Sequence, residues 1–125
     1  MRIFATLALL LIVSVSCTNQ PDLAGFDVEA FKNDRGSCAG TREKQIDWLK
    51  THKMNFQGVS SNDMDEILGK PDIQQLADRN QEYYIYFLEP GPHCQQKPSQ
   101  SKSIAFRFSA MGIATEITFQ EGIPL

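Results

Sequence analysis

The feature that most constrains this chain is a change of side-chain period at Gly69-Lys70-Pro71. Before it, apolar residues recur three and four positions apart, as on one stripe of a helix. After it, they alternate every second position, as on a strand. A chain that switches period once, with a proline at the switch, predicts helices followed by a sheet. Such helices can cover only one face of that sheet, so the fold class expected is α+β.

The helical half is punctuated by its own chemistry. Asp27 reads as an N-cap for a short helix through Val28, Phe31 and Lys32, closed between Asn33 and Gly36. Thr41 reads as the cap of a longer helix over residues 42–53. Glu43 suits its positive end, and His52 and Lys53 its negative end. Ile46, Leu49 and Lys53 form the stripe, with Trp48 beside it, and Trp48 and Phe31 read as core. Ser60 with Asp63 resembles a capping box for a third helix. Met64, Ile67 and Leu68 supply its apolar stripe, and Gly69 and Pro71 stop it.

The strand half begins with a short strand over residues 73–77 and turn residues at Asp78-Arg79-Asn80. Glu82 to Glu89 (EYYIYFLE) follows, rich in aromatic and branched side chains. A loop with three prolines separates it from two last strands, Ile104–Ser109 and Ile113–Gln120, joined around Met111-Gly112. The expectation is two or three N-terminal helices on one face of a three- to four-stranded antiparallel meander. Ile104, Phe106 and Phe108 would face the helices, with Arg107 opposite. Ile113, Ile117 and Phe119 would face in, with Ala114, Glu116 and Thr118 opposite.

On the Tyr-rich strand, Tyr83, Ile85 and Phe87 can point to the core. That choice leaves Tyr84, Tyr86 and Leu88 on the open face beside Arg107, an amphipathic patch suited to a protein partner. The plainer alternative is that the N-terminal segment or the Pro-rich loop covers those three side chains.

The N-terminus has its own logic. Met1-Arg2 is a positive start, and Ile3 to Val15 is apolar apart from Thr6 and Ser14. That run has signal-peptide length and falls short of the roughly 20 residues a spanning helix needs. It ends Val13-Ser14-Val15-Ser16-Cys17. Small residues before a cysteine resemble a lipobox, although Ser14 stands where leucine is usual. The expectation is a cut after Ser16 and lipid on Cys17; the alternative is an ordinary signal peptide with a cysteine near its cut. Residues 17–25 read as a polar tether, and residues 26–125 as one domain. Thr18 rather than Asp after the cysteine favours the outer membrane, and the lack of an acidic cluster after Cys17 favours a periplasm-facing position.

Export leaves Cys38 and Cys94 in an oxidising compartment, where a disulfide is the economical inference. Free thiols remain open, as does a metal site using Cys38, His93 and Cys94, although the adjacent His93-Cys94 is poor spacing for a tetrahedral ion.

Composition narrows function mainly by exclusion. The chain carries 12 basic and 15 acidic residues, net −3, with no lysine or arginine cluster. It lacks the electrostatic footprint of nucleic-acid binding. His52 has no good nucleophile beside it, the Cys94 thiol beside His93 is assigned to the disulfide, and Ser60 and Ser61 are explained by capping. No cofactor motif is present, and the expectation is a non-catalytic protein.

The residues Gly58, Ser60, Leu68, Gly69, Pro71, Tyr84, Phe108 and Gly112 carry a resemblance to the SmpA/OmlA (BamE-like) lipoproteins, over residues 58–119. Phe26, Asp27, Phe31, Lys32, Asp34, Cys38, Gly40 and Arg42 are also similar to short lipoproteins without assigned activity. The first resemblance implies helices on a small antiparallel sheet and a non-enzymatic role in outer-membrane assembly or maintenance, bound to another envelope protein. The cysteine pair, the longer helical region and the Pro-Gly-Pro-His-Cys loop depart from that family and put the partner in doubt. A similar helix-plus-sheet unit in secreted inhibitory proteins implies the alternative, an inhibitor-like or small-ligand-binding module.

Overall fold

The computed structural model describes residues 20–92, 94 and 100–121. Helices α1 (Val28–Asn33), α2 (Ile46–His52) and α3 (Ser61–Leu68) precede strands β1 (Ile73–Leu76), β2 (Glu82–Phe87), β3 (Lys102–Phe108) and β4 (Ala114–Glu121). The strands form one antiparallel sheet in the order β1-β2-β3-β4. The architecture is α+β, helices first, as the change of period at Pro71 requires. No helix among the described residues is long and apolar enough to cross a membrane.

The caps explain where helices begin. Asp27 accepts from the Ala30 amide at 3.1 Å and starts α1. Ser60 accepts from the Asp63 amide at 3.1 Å and starts α3. At the end of α3, Gly69 takes φ +79°, a conformation a side chain resists, and the chain leaves toward β1. The expected single helix over 42–53 is instead a 3₁₀ turn (Thr41–Gln45), α2, and a second 3₁₀ turn (Lys53–Phe56). Thr41 does not cap it with its side chain. The carboxylate of Asp34 performs that role, accepting from the amides of Ala39, Thr41 and Arg42 at 2.7, 2.7 and 3.3 Å. Gln45 is held by both ends of its amide to the backbone of Asp27, at 3.0 and 2.9 Å. These tethers fix the entry to α2 more tightly than an α-helical turn allows.

The core lies between helices and sheet. Phe31, Leu49, Phe56, Met64 and Leu68 pack on Tyr84, Tyr86, Ile104, Phe106 and Phe108. Full burial of side chains of this size contributes roughly 1.5–3 kcal/mol each. Phe56 and Tyr86 meet Phe106 edge to face at 5.5 and 5.8 Å. Trp48 sits at the margin, stacked between Phe26 and His52, its indole N–H donating to the Ala24 carbonyl at 3.0 Å.

Two expectations about strand faces are overturned. Tyr84 pairs with Phe106, and Tyr86 with Ile104, so Tyr84 and Tyr86 point to the helices. Tyr84, Tyr86 and Leu88 are buried in that core and present no open patch. Tyr83, Ile85 and Phe87 take the other face. The side chain of Asp72 helps to hold this register, accepting from the Phe87 amide at 2.8 Å. In β4, the pairing steps from Phe108↔Ala114 to Arg107↔Glu116, which leaves Thr115 as an extra residue. This bulge reverses the phase, so Ala114 is buried and Ile113 is exposed.

Candidate functional site

Three local structures are built from residues distant in sequence. The first is a buried polar lock. Arg42, whose side chain is 1% exposed, donates to the Asp72 carboxylate at 2.7 Å. Its other guanidinium bonds go to the carbonyls of Phe31 (3.0 Å) and Phe87 (3.1 Å), and its plane lies 4.2 Å from the centre of the Phe31 ring. Asp72 accepts in addition from the Gly36 amide at 2.8 Å. One ion pair therefore ties the loop after α1, the entry to β1 and the end of β2 together. Its charges are matched internally, which makes it architecture rather than a reactive centre.

Beside it, Cys38 and Cys94 form the expected disulfide, with Cα atoms 5.2 Å apart. Both thiols are consumed, which sets aside the free-thiol and metal-site alternatives for this pair. The bond sits beside a turn at Gly91 that lies against the sheet. The Gly91 amide donates to Gly36 at 3.0 Å, and Gly91 lies so near the Phe87 ring that an added Cβ would sit 2.7 Å from it. Phe87 is accordingly buried although it faces away from the helices, and Ile85 on the same face is buried too.

The second structure is a trough on the helix-free face, beyond the reach of that turn. It encloses about 480 Å³ between Gln75 and Ala77 of the β1 side, Tyr83 of β2, Arg107 of β3, and Glu116 and Thr118 of β4. Arg107 donates to the Gln81 side chain at 2.6 Å, stands 3.7 Å from the Glu116 carboxylate and 5.8 Å from the centre of the Tyr83 ring. Two lining atoms are buried without a hydrogen-bond partner, an acceptor (Gln75 Oε1) and a donor (Gln120 Nε2).

A third structure is a slot of about 350 Å³ between α2 and the sheet, lined by Ile46, Lys50, Leu88, Lys102, Phe119 and Glu121 among others.

Of the residues expected to bind a partner, the structure puts Arg107 on the helix-free face and Tyr84, Tyr86 and Leu88 in the core. Tyr86 donates its hydroxyl to the Gly69 carbonyl at 2.8 Å, and burial, followed by the nearby Asp65 charge, pushes its ionisation far above the ordinary tyrosine range. Tyr84 is shifted upward in the same way, first by burial and then by Asp65. Asp65 itself is raised, mainly by burial, with Lys70 opposing and Glu82 adding. Cys17, with the proposed cut and lipid, and His93 lie outside the described residues. Tyr83, Gln75 and Gln120 were not anticipated as a group. Only the strand register brings them together, although Tyr83 next to an arginine-bearing strand was a readable hint.

No family model, curated protein or solved structure matches the chain. Its class therefore rests on its own architecture: a small disulfide-bonded α+β protein with helices on one face of a four-stranded meander.

Proposed function

We propose that this chain is a non-catalytic envelope lipoprotein, anchored by lipid on Cys17, that binds another envelope protein in the trough of its helix-free sheet face. The signal-like run ending at Ser16-Cys17 motivates the anchor. The SmpA/OmlA resemblance over residues 58–119 motivates the role in outer-membrane assembly or maintenance. The observation that carries the binding site is the unpartnered pair of amide atoms, Gln75 Oε1 and Gln120 Nε2, in the trough that holds Tyr83 and Arg107. A buried polar atom left without a partner costs about 1–3 kcal/mol. A peptide group offers both a donor and an acceptor, and Tyr83 and Arg107 are side-chain types enriched at protein contacts.

Two experiments test this. Cys17→Ser is expected to move the protein from the membrane to the soluble fraction; unchanged fractionation removes the anchor from the proposal. A photo-crosslinker at Thr118 in intact cells should yield a discrete protein adduct that Arg107→Glu abolishes, while the same crosslinker at Asn62 on α3 yields none. Equal adducts from both positions, or adducts indifferent to Arg107→Glu, would remove the trough as the binding site.

A further inference from the structure

The slot on the helix side of the sheet, which shares Gln120 with the trough, has a different chemistry from it. Ile46 and Lys50 are four residues apart on α2 and so lie on one side of it. Lys102 pairs with Glu121, and Ile104 with Phe119, which puts Lys102 and Phe119 on the helix-facing side where β3 begins and β4 ends. The slot is thus a gap between the two layers that side chains leave unfilled. Its apolar wall is Leu88, fully buried, with Ile46 and Phe119 half-buried.

Its mouth carries two lysines, Lys50 and Lys102. Among the described residues, no carboxylate comes within 4.0 Å of the Lys50 or Lys102 ammonium. Lys50 instead stands 5.9 Å from the centre of the Phe119 ring. Among the described residues, the slot is lined by these two lysines and one carboxylate, Glu121, while the Glu89 carboxylate stands beside the lining and accepts from the Lys102 amide at 3.4 Å. Lysine is a point charge on a flexible stem, suited to a carboxylate, and among the described residues no arginine lines the slot to grip a phosphate with two parallel bonds. The volume, about 350 Å³, is near the lower end of small-molecule sites and suits one short chain or one ring.

We infer that this slot binds a small carboxylic acid with an apolar body, its carboxylate between Lys50 and Lys102 and its body against Ile46, Leu88 and Phe119. The site lies on the helix side of the sheet, and its proposed contacts, Ile46, Lys50, Leu88, Lys102 and Phe119, do not line the trough, so the inference does not depend on the protein-binding proposal.

The test is a titration of isotope-labelled protein followed by NMR, with octanoate, acetyl-leucine, octanamide and acetate as probes. Octanoate or acetyl-leucine should shift the resonances of Ile46, Leu88 and Phe119 saturably. The tighter of the two assigns the source, a free acid or a peptide C-terminus. Octanamide, which lacks the charge, and acetate, which lacks the body, should each bind at least about tenfold more weakly, a difference of about 1.4 kcal/mol. The Lys50→Gln, Lys102→Gln variant should lose binding by a similar factor with its core resonances unmoved. Absence of saturable shifts at these residues overturns the inference. So does octanamide or acetate binding as well as the better acid, or a double variant that binds normally.

Discussion

The guanidinium of Arg42 and the carboxylate of Asp72 meet at 2.7 Å with both side chains out of contact with solvent. The pair joins a segment before α2 to the strand that follows α3, thirty residues later. Desolvating two charges is costly, and the lock offsets that cost by satisfying them with backbone as well as with each other. Removing one member leaves the other uncompensated. Arg42→Ala is therefore expected to destabilise the protein by about 3–5 kcal/mol. Combining it with Asp72→Ala should cost clearly less than the two single losses added. Urea denaturation of the two single variants and the double variant checks this, and strict additivity would show the pair to be uncoupled.

The Cys38–Cys94 bond closes a loop with a sequence separation of 56. On the chain-entropy view, such a loop contributes about 4 kcal/mol by limiting the unfolded ensemble. Cys38→Ser with Cys94→Ser should lower stability by about that amount. The unmutated protein in excess reductant should behave like the double variant. Melting curves with and without reductant provide the comparison.

The fold was legible where local chemistry and global packing agree. Ser60, Asp63, Gly69 and Pro71 bracket α3 by capping and by backbone conformation, both of which act within a few residues. The faces of β2 were not legible, because both of its faces are buried: Tyr84 and Tyr86 under the helices, Ile85 and Phe87 away from them. Alternation carries no sign when odd and even positions are equally apolar. The deciding contacts, Asp72 to the Phe87 amide and Tyr86 to Gly69, join residues 15 and 17 positions apart. The bulge at Thr115 likewise reverses the faces of Ile113 and Ala114, while Ile117 and Phe119 face the helices as expected, and no glycine or proline within the bulge announces it. Arg107 could be placed on the open face because its neighbours Phe106 and Phe108 are unambiguous. The slot was invisible in sequence, since α2, the end of β2, β3 and β4 contribute to it from four separate stretches.

Reversal of the β2 faces makes opposite predictions for Tyr83 and Tyr86. Tyr86→Phe deletes the hydroxyl that donates to Gly69 and leaves the ring in place. A loss of about 1 kcal/mol is expected. Tyr86→Ala removes a fully buried ring and should cost about 3–5 kcal/mol. Tyr83 lies half-buried at the trough, and Tyr83→Ala should cost about 1 kcal/mol or less. Chemical denaturation of the three variants orders them, and a Tyr83 variant as unstable as Tyr86→Ala would restore the sequence-based assignment of faces.

Asp65 gives the fold a pH dependence of definite sign. One of its oxygens is buried without a partner, and its pKa is raised above 3.8, mainly by burial. A carboxyl with a raised folded-state pKa prefers its neutral form in the native protein. Below the unfolded value both states are protonated and the native state bears no penalty from this group. As pH climbs from the unfolded to the folded pKa, the unfolded chain releases its proton first, and stability falls. Above the folded pKa the loss is complete and constant. Asp65→Asn carries no charge at any pH, so it should be more stable relative to the parent at pH 7 than at pH 3. The midpoints of thermal unfolding at both pH values measure that difference directly. A variant whose shift is the same at pH 3 and pH 7 would mean that the Asp65 charge is not what the native state resists.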